Sequence, residues 1–157
     1  VSAWIHVPGL SNCNIYLCQE CCPIVGDDIS VVGVDYEHLT LHRKGCQRGK
    51  SVEQAALGQA LIEEKAFWLD NARPVGVNSA LRAKIELKAV YNYALAIETI
   101  VRCHDSEHKI YDLQLQNNFV GSAAHIVVTV GVSDIHELDS LIENLRKIDD
   151  VAEVCRL

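Results

Sequence analysis

The chain has 157 residues, 49% apolar and 22% charged, with 21 acidic against 14 basic side chains and a formal net charge of −7. That length carries one ordinary domain or two small ones, and the composition is that of a folded globule, not of a disordered tail. The negative balance excludes wrapping nucleic acid with the whole surface and leaves only a local basic patch for such a role.

No apolar run approaches the roughly 18 residues of a membrane helix, so no membrane role is expected. The first residue is Val, and no basic segment leads into an apolar stretch. The chain therefore reads as an excised or processed piece of a soluble, cytoplasmic protein. Cys13, Cys18, Cys21, Cys22 and Cys46 crowd the first third, while Cys103 and Cys155 lie far off. A secreted disulfide framework more often has an even, spread-out set; reduced thiols fit better.

In chain order, strands are predicted at Trp4 to Val7 (WIHV), Asp28 to Val34 (DISVVGV) and His38 to His42 (HLTLH), the last alternating apolar and polar residues. Ser51 is the N-cap of a helix-like run with Ala55, Ala56, Leu57 and Ala60, and Lys65 to Leu69 (KAFWL) closes a small sheet. The core of this part looks thin. Pro, Gly, Asn and Ser then interrupt the chain at ARPVGVNS, residues 72 to 79.

Beyond the break, Leu81 to Ala89 alternates apolar residues with charges. Asn92 to His104 is helical, with Leu95, Ala96, Ile100 and Cys103 as its apolar face. Lys109 to Leu115 and His125 to Val132 are strands joined through NNFVGS. Asp134, with Glu137 three residues on, caps a second helix whose stripe is Ile135, Leu138, Leu141, Ile142 and Leu145. Val151 to Leu157 is the last strand. The order β-α-β-β-α-β predicts a ferredoxin-like unit with two helices on one face of an antiparallel sheet. The fold class is α+β, with a small strand-rich cysteine module in front.

Chemistry concentrates in that module. Cys18-x-x-Cys21 and His42-x-x-x-Cys46 offer three thiolates and one imidazole, enough for tetrahedral zinc. A redox-active Cys-x-x-Cys wants a helix N-terminus after a strand, which the flanking residues do not supply. Cys22 is the alternative ligand. Adjacent residues of an extended strand point to opposite sides, and Pro23 favours an extended residue before it. The set Cys18, Cys21, His42 and Cys46 therefore ranks first, with Cys22 replacing Cys18 as the variant.

Cys103 and Cys155 are expected as small core residues, and His104, His108 and His125 as surface or strand-edge residues. Tyr91, Tyr93 and Trp68 read as packing residues. HRKGCQRGK gathers Arg43, Lys44, Arg48 and Lys50, which can contact phosphates without reading bases; the competing reading is a solvated loop. No Gly-x-Ser-x-Gly elbow or similar nucleophile constellation occurs, so no catalytic residue is assigned.

Three segments resemble the C-terminal regulatory region of the long RelA/SpoT-type enzymes, which make and hydrolyse (p)ppGpp. They are IHVPGLSN at 5–12, CCPIVGDDI at 21–29 with HLTLHRKGC at 38–46, and the β-α-β-β-α-β end closing on LIENLRKIDDVAEVCRL. Aligned on this family, its adjacent cysteine pair falls on Glu20 and Cys21, with Cys18 and Cys22 flanking as substitutes. The resemblance implies a cysteine/zinc-finger-like module at 1–70, a linker at 71–79 and an ACT domain at 80–157.

It further implies zinc as cofactor, contact with ribosomal RNA near the tRNA-entry site through the basic stretch, and homo-oligomers formed through the ACT domain. A small effector would sit at Asn92, Tyr93, Ala94 and Leu95. The family has a glycine in this loop, and glycine lets backbone N–H groups approach a carboxylate closely. Ala94 and Leu95 forgo that approach, whereas pairing between protomers needs no glycine.

The expected function is non-catalytic: relaying ribosome, tRNA or oligomeric state to upstream catalytic domains of a GTP pyrophosphokinase and (p)ppGpp hydrolase. The alternative is a free-standing ACT-type amino-acid sensor with a metal-binding appendage.

Overall fold

The computed structural model describes residues 4–11, 13–48, 61–70, 81–90, 94–117 and 123–157. Two compact units divide the chain, Val1–Arg73 and Pro74–Leu157. The expected linker at 71–79 and the helix-like run from Ser51 to Ala60 lie outside the described residues.

In the N-terminal unit, the strands are β1 (Ile5–His6), β2 (Ile15–Leu17), β3 (Ile29–Gly33), β4 (Leu39–Arg43) and β5 (Ile62–Trp68). Their order across the sheet is β1-β5-β3-β4-β2. β3 and β4 form an antiparallel hairpin with Val31 opposite Leu41. Asp35 shapes its loop, its carboxylate accepting the Glu37 N–H at 2.9 Å and lying 2.9 Å from His38 Nδ1. Gly33 is required where the strand ends, because a Cβ there would stand 2.6 Å from the His38 carbonyl oxygen.

β2 runs parallel to β4, with Leu17 beside Leu41. Sequence periodicity missed this strand: three residues are too few to show an alternation. Ile5, Val7, Ile29, Val31, Leu39, Leu41 and Ala66 are buried together, with Trp4, Leu10, Ile15, Leu17 and Trp68 packed against them. This core is fuller than the short apolar runs suggested. Trp68 is a packing residue, its indole N–H donating to the Asp27 carbonyl at 3.2 Å.

The C-terminal unit contains β6 (Arg82–Val90), α1 (Leu95–Asp105), β7 (Ile110–Asn117), β8 (Ala123–Gly131), α2 (Ile135–Leu145) and β9 (Val151–Arg156). Its sheet is antiparallel in the order β7-β8-β6-β9, the ferredoxin-like arrangement expected. Ala83, Ile85, Leu87 and Ala89 of β6 are buried with Ile126, Val128 and Val130 of β8, and Leu138, Leu141 and Leu145 of α2 are buried as well. Asp134 caps α2 by accepting the Glu137 N–H at 2.8 Å, and the Glu137 carboxylate reaches back to the Ser133 N–H at 2.7 Å.

Some expectations for this unit are corrected. The buried face of α1 is Leu95, Thr99 and Cys103, not Ile100, which is 45% exposed. Thr99 tolerates burial because its hydroxyl donates to the Leu95 carbonyl at 2.7 Å. His108 is not a surface residue; its side chain is 6% exposed, with Nδ1 3.0 Å from the Gly131 carbonyl. His125 lies on β8, inside the strand order, 3.3 Å from the Glu86 carboxylate. Cys103 is buried as expected, whereas Cys155 is half-buried, opposite Glu86 on the edge strand β9. Among the described residues, no helix is long and apolar enough to cross a membrane.

Candidate metal centre

The register of β2 against β4 starts the site. Because Leu17 lies beside Leu41, the next residues, Cys18 and His42, become neighbours, and the Cys18 N–H donates to the Leu41 carbonyl at 3.0 Å. The chain then turns, with the Cys22 N–H donating to the Cys18 carbonyl at 3.0 Å. This turn returns Cys21 to β4, where its sulfur accepts the Arg43 N–H at 3.3 Å. After β4 a second tight turn, with Gly45 at φ +85° and the Cys46 N–H donating to the Arg43 carbonyl at 3.1 Å, presents Cys46.

One ligand atom from each of Cys18, Cys21, His42 and Cys46 then lies within 4.8 Å of all the others. The Cys18 and Cys46 sulfurs are 4.0 Å apart. Cys18, Cys21 and His42 are 3%, 7% and 3% exposed, while Cys46 is half-buried. No disulfide joins any of the seven cysteines.

Burial pushes the Cys21 thiol up to about 12; the Arg43 N–H opposes the shift, and the neighbouring Cys18 and Cys46 add to it. Burial also lowers His42, helped by the Arg48 charge and opposed by Glu20. A neutral imidazole is the form a metal ligates, and a cation reverses the penalty on the thiolates. His42 Nδ1 is buried with no hydrogen-bond partner among the described residues. Such an atom ordinarily costs about 1–3 kcal/mol. This orphaned nitrogen and the soft donors beside it fit a metal ion, and the four residues lie close enough to bind one.

Cys22 stands outside the group. Contrary to the extended conformation expected before Pro23, it adopts φ +45°, and its thiol donates to the Gln19 carbonyl at 3.3 Å. Glu20 is no ligand either; its exposed carboxylate meets Arg48 at 3.1 Å. Sequence reasoning missed the supporting part of Asp27. Its carboxylate accepts the Ile24 N–H at 2.8 Å and fixes, with Gly26 at φ +103°, the turn that carries the chain from Cys22 into β3. The spacing Pro-x-x-Gly-Asp was its signal.

In the basic stretch, Lys44 is exposed, Arg43 is half-buried and the exposed Arg48 is engaged with Glu20; Lys50 lies outside the described residues. Of the effector positions, Asn92 and Tyr93 lie outside the described residues. Ala94 is exposed at the N-terminus of α1, and Leu95 is buried.

Comparison with known proteins addresses the C-terminal unit. The family model of the ACT domain matches residues 79–156. Among solved structures, the ACT domain from GTP pyrophosphokinase of Chlorobium tepidum is similar at 21% identity, over 48% of this chain and 96% of that one, with a TM-score of 0.42. No curated protein matches the chain.

Proposed function

We propose, for a chain whose residues 79–156 belong to the ACT domain family, a non-catalytic regulatory role within a RelA/SpoT-type (p)ppGpp synthetase/hydrolase. In this reading the N-terminal unit is a zinc module that touches ribosomal RNA, and the ACT domain carries self-association. Together they relay ribosome, tRNA or oligomeric state to catalytic domains elsewhere in the parent protein.

The observation that carries the reading is a conjunction. A donor group of Cys18, Cys21 from the CCPIVGDDI segment, and His42 and Cys46 from the HLTLHRKGC segment shares one chain with an ACT domain. Zinc is the ion that three thiolates and an imidazole suit best: it takes a tetrahedron of soft donors and supplies structural cross-linking without redox chemistry. Cys18, Cys21, His42 and Cys46 would hold it, the Arg43 N–H would neutralise part of the thiolate charge on Cys21, and Gly45 would set the position of Cys46.

Lys44 is exposed beside this centre and fits contact with phosphate. Self-association is supported by Ile97, Ile100 and Val101, which are exposed at helix spacing on one face of α1.

The test is co-sedimentation of the full chain with ribosomes at several salt concentrations. The chain should pellet, and the variant with Arg43, Lys44, Arg48 and Lys50 all changed to Ala should lose binding and show a flatter salt dependence. Equal pelleting by both would return the stretch to a solvated loop. The purified chain should also fail to convert GTP and ATP to (p)ppGpp.

A further inference from the structure

The four donors differ in how a solute can reach them. Cys18 and Cys21 are buried, and Cys46 alone among the thiols of the group is half-open to solvent. It also stands off the sheet, in a tight turn through Gly45 beyond the end of β4. Cys18, by contrast, is tied to the sheet through the Leu41 carbonyl. The two sulfurs are already 4.0 Å apart, so a disulfide of about 2.05 Å requires a closure of roughly 2 Å. Cys21 is held by the Arg43 N–H, and Cys22 by the Gln19 carbonyl.

We propose that Cys46 and Cys18 form a peroxide-sensitive dithiol that ejects the metal when it oxidises; this rests on the zinc reading above. Hydrogen peroxide is the oxidant. The Cys46 thiolate attacks one peroxide oxygen, the O–O bond breaks, and with one proton the products are a Cys46 sulfenic acid and one water. The Cys18 thiolate then attacks that sulfur and displaces hydroxide, which a second proton converts to water. The two thiolates lose two electrons in all, and the peroxide becomes two waters. Cys21 and His42 remain, two donors where the ion needs four, so zinc leaves. Reduction by a dithiol restores the site. The module would thereby report oxidative conditions as well as any partner it binds.

The experiment uses the full chain loaded with zinc and treated with hydrogen peroxide. A chromogenic chelator follows zinc, and peptide mass mapping without reductant follows disulfides. Zinc should be released in step with a single Cys18–Cys46 disulfide, and dithiothreitol with added zinc should reverse both. Cys22→Ser should behave like the parent chain. A Cys18–Cys21 or Cys21–Cys22 disulfide, or sulfinic acid at Cys46 with no disulfide, would overturn the proposal. Mapping of zinc-free protein separates the two readings: a chain that never retains zinc refutes the metal site, whereas the thiol pairing is judged on the disulfide map alone.

Discussion

Strand β6 spends nine residues on a regular alternation that buries Ala83, Ile85, Leu87 and Ala89, and β8 and β9 pair along most of its length. In the N-terminal unit β1 has two residues and β2 has three. Its sheet nonetheless holds a packed core, and four metal-competent side chains gather where β2 and β4 end. The C-terminal unit is a fold whose stability follows from periodic burial. For the N-terminal unit we propose that short strands leave part of the work to a metal held by the four gathered donors. Small modules commonly supplement a core of limited size in this way, because binding free energy becomes folding free energy.

Stripping metal should therefore separate the units most strongly. A strong chelator should remove the calorimetric transition of the N-terminal unit, a loss on the order of 10 kcal/mol by analogy with small zinc modules. The C-terminal transition should stay in place; if both moved together, the contrast would fail.

Next in size, Leu87→Ala and Leu41→Ala each empty a fully buried site. About 3 kcal/mol should be lost in each case. Denaturant titration should locate the first loss in the C-terminal unit and the second in the N-terminal one, and the second should grow when metal is absent.

Asp134→Ala removes the side-chain cap of α2. It should cost about 1 kcal/mol, confined to the C-terminal unit. Smallest of all, Glu20→Ala breaks an exposed pair with Arg48. Less than about 1 kcal/mol should follow, with metal content unchanged; a large drop in metal would make Glu20 part of the site after all.

Legibility differed between the units for a physical reason. The β-α-β-β-α-β order could be read because β6, β8 and α2 each repeat their period several times, and Asp134 with Glu137 marks a helix start. Thr99 was passed over because a hydroxyl reads as polar until its i−4 carbonyl partner is known. In the N-terminal unit, Cys18-x-x-Cys21 and His42-x-x-x-Cys46 were legible as donors by spacing. What brings them together is the parallel pairing of β2 with β4, a non-local contact that no local pattern encodes. The positive φ of Cys22 before Pro23 was equally hidden, since the general preference there points to an extended residue.

The most direct test of the account is elemental analysis of the full chain, prepared without chelator, with thiol titration alongside. About one equivalent of zinc is expected, as a single four-donor site requires, with Cys18, Cys21 and Cys46 protected from the titrant until chelator is added. Cys21→Ser should carry almost none. Less than about a tenth of an equivalent in the parent chain, with Cys18, Cys21 and Cys46 reacting alike before and after chelator is added, would contradict the account and leave four donors that merely pack together.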